Sequence, residues 1–238
     1  MTSRPTILAT SGGFERNARD GLEPSGLAKT ALRLTGAARP KLCFVGTASG
    51  DDLGYIQLTY AAFAGWSVDV SHLALFPMPN VDDVRAHLLA QNVVWVGGGS
   101  VAGLLAMWRV HGLDDVLREA WEAGVVLAGV SAGSICWHVG GPTDSFGPEL
   151  RPITDGLGLI PFGNGVHYDS EDGRRPLLHE LVADGTLPTS YATDDGVGLY
   201  YEGTELAGVY TEAEGAAAYR VERVGGVARE TRLDAVPV

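Results

Sequence analysis

The sequence contains few cysteines: Cys43 and Cys136 are the only two among 238 residues. Each lies in an apolar stretch, and their spacing matches no CxxC or zinc-binding pattern, so we expect two small buried side chains. A chain of this length can bury roughly three quarters of the surface that it exposes when unfolded, so folding requires no disulfide or metal ion. The sequence therefore predicts no metal and no cofactor.

Positive charge is also scarce. The chain has 17 Lys and Arg residues against 29 Asp and Glu residues, which gives a formal net charge of −12. The resulting field repels polyanions, so the composition argues against a partner that is a nucleic acid or an anionic membrane surface. A small acidic substrate remains compatible with this charge, because a local basic pocket can attract it.

Long apolar runs are missing as well. The first apolar stretch, Ile7-Leu8-Ala9, is too short for the hydrophobic region of a signal peptide. The longest one, residues 125–137, is interrupted by Ser and Gly and falls short of the roughly 20 residues that a membrane span needs. These features predict a soluble, cytoplasmic protein.

Short apolar runs alternate with amphipathic segments through the first 140 residues. The predicted strands are Thr6–Thr10, Leu42–Gly46, Val68–Phe76, Val93–Val96 and Val125–Val130. The predicted helices are Gly26–Leu34, Tyr55–Ala64, Val81–Ala90, Val101–Val110 and Leu113–Ala123. This order predicts an α/β fold in which helices cover both faces of a mostly parallel sheet.

The pattern changes near residue 187, after which short runs are separated by glycine. The runs are Gly196–Tyr201, Leu206–Tyr210, Ala216–Val221 and Val227–Leu233. We interpret them as a C-terminal antiparallel β meander that extends the sheet. Because the sequence shows no repeat and no linker, we expect residues 1–238 to form one domain.

Glycine is abundant, with 33 residues, and many of them directly follow predicted strands. One such stretch, Gly129-Val130-Ser131-Ala132-Gly133, is a G-x-S-x-G pattern between an apolar strand and a helical segment. The pattern predicts a nucleophile elbow that lifts Ser131 above the sheet, and an ordinary tight turn is the alternative. The Ala132 N–H, at the start of the next helix, would then stabilise a developing oxyanion.

A serine nucleophile needs a base, and the base needs an orienting acid. Among six histidines, His167 differs from the others because it lies in a predicted Gly-rich loop, residues 162–169, without helical periodicity. The sequence around Thr193-Asp194-Asp195-Gly196 suits an orienting carboxylate, because it lies between an apolar stretch and a strand. The residues alone do not separate Asp194 from Asp195.

The sequence resembles the peptidase E family of serine peptidases, the S51 group that also contains cyanophycinase. The matching stretches are 10–13, 93–100, 129–133, 165–168 and 195–196. The resemblance implies a fold related to class I glutamine amidotransferases, with Ser131 as nucleophile, His167 as base and Asp195 as third member of the triad. It also implies that Gly98 and Gly99 supply oxyanion donors beside Ala132, and that the substrate is a small peptide. Since many proteins of this kind associate, a homodimer is one expected state.

Peptidase E cleaves dipeptides that begin with aspartate, and such a substrate requires donors for a carboxylate. Arg174 and Arg175 lie where the family carries basic residues, so either could bind the aspartate side chain. The sequence between Trp137 and Tyr168 departs from the expected peptidase E pattern, which leaves other amide substrates open.

Two further functions are compatible with the residues. The glycines at 97 and 99 with Ala102 form a partial dinucleotide fingerprint, although no ribose-binding acid follows at the usual place. A binding protein that kept the fold and lost the activity is the other alternative.

Overall fold

The computed structural model describes residues 4–17 and 21–238. Its strands are β1 Thr6–Thr10, β2 Phe14–Arg16, β3 Leu22–Pro24, β4 Lys41–Val45, β5 Asp69–Leu73, β6 Val93–Val96, β7 Val126–Val130, β8 His138–Thr143, β9 Arg151–Ile153, β10 Ile160–Gly165, β11 Ser190–Thr193, β12 Val197–Glu202, β13 Glu205–Thr211, β14 Ala218–Val224, β15 Val227–Leu233 and β16 Val236–Pro237. Its helices are α1 Gly26–Leu34, α2 Leu53–Ala62, α3 Val84–Leu89, α4 Val101–His111, α5 Leu113–Glu122, α6 Ala132–Ile135 and α7 Arg174–Asp184, with a 3-10 turn at Thr47–Ser49.

An eight-stranded sheet forms the centre, with the strand order β16-β13-β12-β1-β7-β6-β4-β5. The neighbours β1, β7, β6, β4 and β5 pair in parallel, whereas β12 runs antiparallel to β1. The five predicted parallel strands are therefore confirmed, with β5 shorter than the predicted Val68–Phe76. The structure is an α/β protein with a parallel-rich sheet.

Helices cover both faces of this sheet, as predicted. Alternate residues of β1 show the two faces, because Ile7 and Ala9 join one apolar cluster and Leu8 joins another. The first cluster is completed by buried residues of α4 and α5, and the second by buried residues of α1 and α2. Cys43 and Cys136 are both buried, as expected from their apolar surroundings.

A second sheet, which the sequence analysis did not predict, has six strands in the order β15-β14-β11-β10-β8-β9. It divides the predicted meander: β12 and β13 extend the central sheet, whereas β14 and β15 form a hairpin at the edge of the second sheet. The prediction of one continuous meander is therefore wrong. The runs are too short and too similar in pattern for the sequence to show which sheet each one joins.

This topology brings several candidate residues together at one edge of the central sheet, the edge formed by the carboxyl ends of its parallel strands. Because β1 and β7 pair in parallel, with Thr10 opposite Val130, their carboxyl ends bring Ser11 and Ser131 to the same edge. The chain enters β12 at Val197, which is next to the same edge since Gly198 pairs with Thr10. Among the residues that the structure describes, no helix is long and apolar enough to cross a membrane.

Candidate active site

Ser131 lies at a sharp corner between β7 and α6. Its backbone has φ +58° and ψ −113°, a positive φ that is rare for a residue with a side chain. The Ser131 carbonyl accepts bonds from the N–H groups of Ser134 at 2.8 Å and Ile135 at 3.0 Å, so the helix begins at once. The backbone therefore has the predicted strand–turn–helix form.

The two glycines of the motif are required by close packing. A Cβ on Gly129 would lie 2.8 Å from Val96 O, and a Cβ on Gly133 would lie 2.8 Å from the carbonyl carbon of Val96. Both positions face the backbone of the neighbouring strand β6, which cannot give way as a flexible side chain could. The motif thus permits a tight approach of the corner to the sheet.

The predicted oxyanion residues lie beside Ser131. A Cβ on Gly98 would be 3.4 Å from Ser131 Cβ, and Gly99 lines the same cavity as Ser131. Gly99 has φ +136°, and a side chain there would overlap Ala48 O. Ala132 is the first residue of α6. Burial raises the pKa of the nearby Tyr55 hydroxyl, and a hydrogen bond with the Gly98 backbone opposes that rise.

His167 follows β10, so part of the predicted loop at residues 162–169 is in fact a strand. The His167 Nδ1 atom lies 2.6 Å from Asp195 Oδ1, and 22% of the His167 side chain is exposed. The backbone of His167 has φ +53°, which is again rare for a residue with a side chain. The structure therefore brings His167 and Asp195 together.

Asp194 has a different environment from Asp195. Its residue is only 5% exposed, and its Oδ2 atom accepts bonds from the Ala217 N–H at 3.0 Å and the Tyr219 hydroxyl at 3.1 Å. Burial raises the pKa of the Asp194 carboxyl, and the Ala217 bond lowers it in part. Of the two adjacent carboxylates that the sequence left open, Asp195 is the one bonded to His167.

Thr10 and Ser11 connect the three candidate catalytic segments. Thr10 O accepts a bond from the Ser131 N–H at 3.0 Å, and Ser11 Oγ accepts one from the His167 N–H at 3.2 Å. Ser11 O accepts a further bond from the N–H of Gly196, the residue after Asp195, at 2.9 Å. No role was predicted for Ser11 from the sequence, although it lies directly after a predicted strand and within the family-matching stretch 10–13.

A cavity of about 320 Å³ opens in front of Ser131. Its lining residues are Gly99, Ser100, Ser131, Asp144, Ser145, Glu171 and Arg174. The sequence analysis predicted the glycine, Ser131 and Arg174 for this region. Ser145 and the two carboxylates were not predicted, since they come from loops without a motif, and Ser100 was part of the family-matching stretch 93–100 without an assigned role.

The two predicted substrate-binding arginines occupy different places. Arg174 lines the cavity, with its side chain 3% exposed. Arg175 is not among the lining residues: its guanidinium lies 4.5 Å from the Tyr168 ring centre and 4.6 Å from that of Tyr219, and it forms an ion pair with Glu230. Arg175 therefore contributes to packing around α7 and not to the wall of the Ser131 cavity.

The sequence is similar to a known family of peptidases. The pattern of Peptidase family S51 matches residues 7–209. The chain belongs to this family. It is 42% identical over 217 residues to the uncharacterized peptidase YgaJ of Bacillus subtilis, and the match covers 90% of each protein. It is 26% identical over 161 residues to peptidase E of Shewanella denitrificans, covering 64% of this chain and 66% of that protein.

The fold is also similar to a solved structure of the same kind. The structure of a peptidase from an acI-B1 actinobacterium superposes with a TM-score of 0.68 at 16% identity, covering 98% of this chain and 96% of that one. At this identity the likeness concerns the fold. S51 membership supports a peptidase of the peptidase E type, and the relation to class I glutamine amidotransferases stays a prediction.

Proposed function

We propose that the S51 chain is a serine peptidase in which Ser131 is the nucleophile, His167 the general base and Asp195 the orienting acid. The observation that carries the proposal is the 2.6 Å contact between His167 Nδ1 and Asp195 Oδ1. An Nδ1–H that donates to the carboxylate leaves Nε2 unprotonated, which is the tautomer that a general base needs. The N–H of Ser131, a residue with positive φ, bonds Thr10 O, and the N–H of His167 bonds the hydroxyl of the next residue, Ser11. One short segment therefore anchors the backbone of both residues.

In this mechanism, Ser131 Oγ forms a bond with the carbonyl carbon of the scissile peptide, and its proton passes to His167 Nε2. The C–N bond then breaks as His167 returns the proton to the leaving amine. Water repeats the sequence on the resulting ester: its proton goes to His167, its oxygen binds the acyl carbon, and Ser131 recovers a proton as the acid departs. The bonds that form and break join only Ser131, the substrate and water, and His167 carries the protons between them.

The negative charge on the tetrahedral intermediate requires donors near Ser131. In the proposal, the backbone N–H groups of Ala132 and Gly99 fill this role, together with Gly98. Glycine at 98 keeps a side chain away from Ser131, and glycine at 99 allows the loop to pack closely against the backbone of Ala48. Asp195 stabilises the imidazolium that forms during both proton transfers.

The test combines peptide hydrolysis with covalent labelling by a fluorophosphonate probe. Wild-type protein is expected to hydrolyse some members of a panel of dipeptides and blocked peptides and to be labelled at Ser131, whereas Ser131→Ala is expected to lose both. Ser170→Ala is the matched control, since this exposed serine lies three residues after His167 and outside the Ser131 cavity. Full hydrolysis by folded Ser131→Ala protein, or labelling elsewhere, would refute the assignment.

A further inference from the structure

We propose that the cavity in front of Ser131 accepts a positively charged side chain of the substrate, on the acyl side of the cleaved bond. This inference rests on the proposed function, because it takes Ser131 as the nucleophile. It concerns the substrate class that the cavity selects, which the comparisons leave open.

Arg174 is already bound to groups of its own chain. Its Nε atom donates to Glu171 Oε2 at 2.6 Å and its Nη1 atom donates to Pro142 O at 2.7 Å, while Nη2 lies 3.9 Å from Asp144 Oδ1. The guanidinium is bound on three sides and its side chain is only 3% exposed. It therefore offers little to an incoming carboxylate, although a free arginine here would bind one well.

The carboxylates that hold Arg174 are much more open than the arginine itself. The Asp144 side chain is 62% exposed and the Glu171 side chain is 41% exposed. With two carboxylates and one guanidinium, the lining has an excess of one negative charge. The hydroxyl groups of Ser100 and Ser145 add hydrogen-bonding capacity without charge.

This distribution of charge favours a cation over an anion in the cavity. A substrate carboxylate would meet two exposed like charges and a buried, engaged guanidinium, whereas an ammonium or guanidinium group would meet two open acceptors. The net charge of the whole chain, −12, acts in the same direction on an approaching substrate. The Asp-X specificity that the resemblance implied therefore has no free basic residue in this lining to support it.

The experiment compares dipeptides that share a C-terminal leucine and begin with lysine, norleucine, aspartate or asparagine. Lysine and norleucine have side chains of similar length, but only lysine carries a positive charge. Aspartate and asparagine are likewise similar in size, but only aspartate carries a negative charge. We expect kcat/KM to be at least about tenfold higher for the lysine peptide than for the norleucine peptide, because a tenfold ratio corresponds to one modest electrostatic contact. We expect kcat/KM to be lower for the aspartate peptide than for the asparagine peptide, because the aspartate carboxylate meets like charges in the cavity.

Two variants identify the groups that carry the preference. In Asp144→Asn and in Glu171→Gln, the lysine-to-norleucine ratio is expected to fall several-fold toward unity, since each change removes one carboxylate charge from the cavity. Asp172→Asn is the matched control, because this exposed carboxylate lies on the same loop and outside the lining. Asp144 is held only by the long 3.9 Å ion pair, so Asp144→Asn should fold even if Glu171→Gln is destabilised.

The outcomes separate this inference from the proposed function. If the aspartate peptide is hydrolysed as fast as the asparagine peptide or faster, and activity still depends on Ser131, the inference is overturned and the peptidase assignment stays intact. Hydrolysis that persists in Ser131→Ala would overturn the peptidase assignment and this inference with it.

Discussion

The Ser11 hydroxyl accepts a hydrogen bond from the backbone N–H of His167 over 3.2 Å, although the two residues are 156 positions apart. The same hydroxyl lies 2.7 Å from Thr193 Oγ1. His167 has φ +53°, a backbone conformation that costs a residue with a side chain about 1–2 kcal/mol. The Ser11 bond therefore helps to hold an unfavourable conformation at the residue that the proposed mechanism uses as its base.

Ser11→Ala is expected to lower kcat about tenfold or more while changing KM less than twofold, because His167 would lose its backbone anchor without any loss of substrate contacts. Steady-state kinetics on any cleaved peptide measure both constants. Ser190→Ala is a matched control, since Ser190 is also buried and its hydroxyl also bonds the backbone, in this case by donating to Pro188 O. An equal fall of kcat in the control would argue against a positioning role for Ser11.

Asp195→Asn is expected to reduce kcat by between about 10² and 10⁴, because an amide favours the wrong tautomer of the bonded imidazole. Asp194→Asn should change kcat less than about tenfold, since the Asp194 side chain bonds Ala217 and Tyr219 and not His167. The pair is compared by kinetics after both variants are shown to fold. A larger loss in Asp194→Asn than in Asp195→Asn would reverse the assignment.

Gly133→Ala is expected to destabilise the protein by about 2 kcal/mol or more, because the new methyl group would overlap the Val96 backbone of a central strand. Gly208→Ala is the control: there the nearest atom to a new Cβ is at 3.6 Å, an ordinary contact, so stability should change by less than about 0.5 kcal/mol. Urea unfolding measures both. Similar stability in the two variants would contradict the tight packing described for the elbow.

The burial of His138 predicts that the folded protein loses stability in mild acid. The residue is fully buried, with Nδ1 2.9 Å from Ser134 O and Nε2 3.2 Å from the Tyr201 hydroxyl, and burial lowers its pKa to about 4. The unfolded chain binds a proton at this histidine near pH 6.5, and the folded chain does so only near pH 4. Stability from this group is therefore present above pH 6.5 and is lost as the pH falls toward 4.

Between pH 7 and 4.5, this histidine should account for a loss of about 2–3 kcal/mol in the free energy of unfolding. His138→Gln has no proton to gain, so its acid-dependent loss should be smaller by that amount. Urea unfolding at the two pH values measures the difference between the two proteins. Identical pH dependence in wild type and His138→Gln would show that another group is responsible.

The sequence by itself determined the features that depend on neighbouring residues. The apolar run before Gly129 predicts a buried strand, and small residues on both sides of Ser131 predict a sharp corner, so the elbow follows from local sterics. The alternation of strands and helices likewise predicts the parallel sheet, because each short run between helices must bury both of its faces. These patterns span only a few residues each and need no knowledge of distant contacts.

The tertiary structure alone decided which of several chemically equivalent residues faces the site. Asp194 and Asp195 are adjacent and identical in type, yet one contacts Ala217 and Tyr219 and the other contacts His167. Arg174 and Arg175 diverge in the same way, because successive residues on a helix point about 100° apart. Apart from the Arg174–Glu171 pair, the partners that distinguish these residues come from remote parts of the chain, such as Pro142 for Arg174 and Glu230 for Arg175, so no local pattern could have separated them.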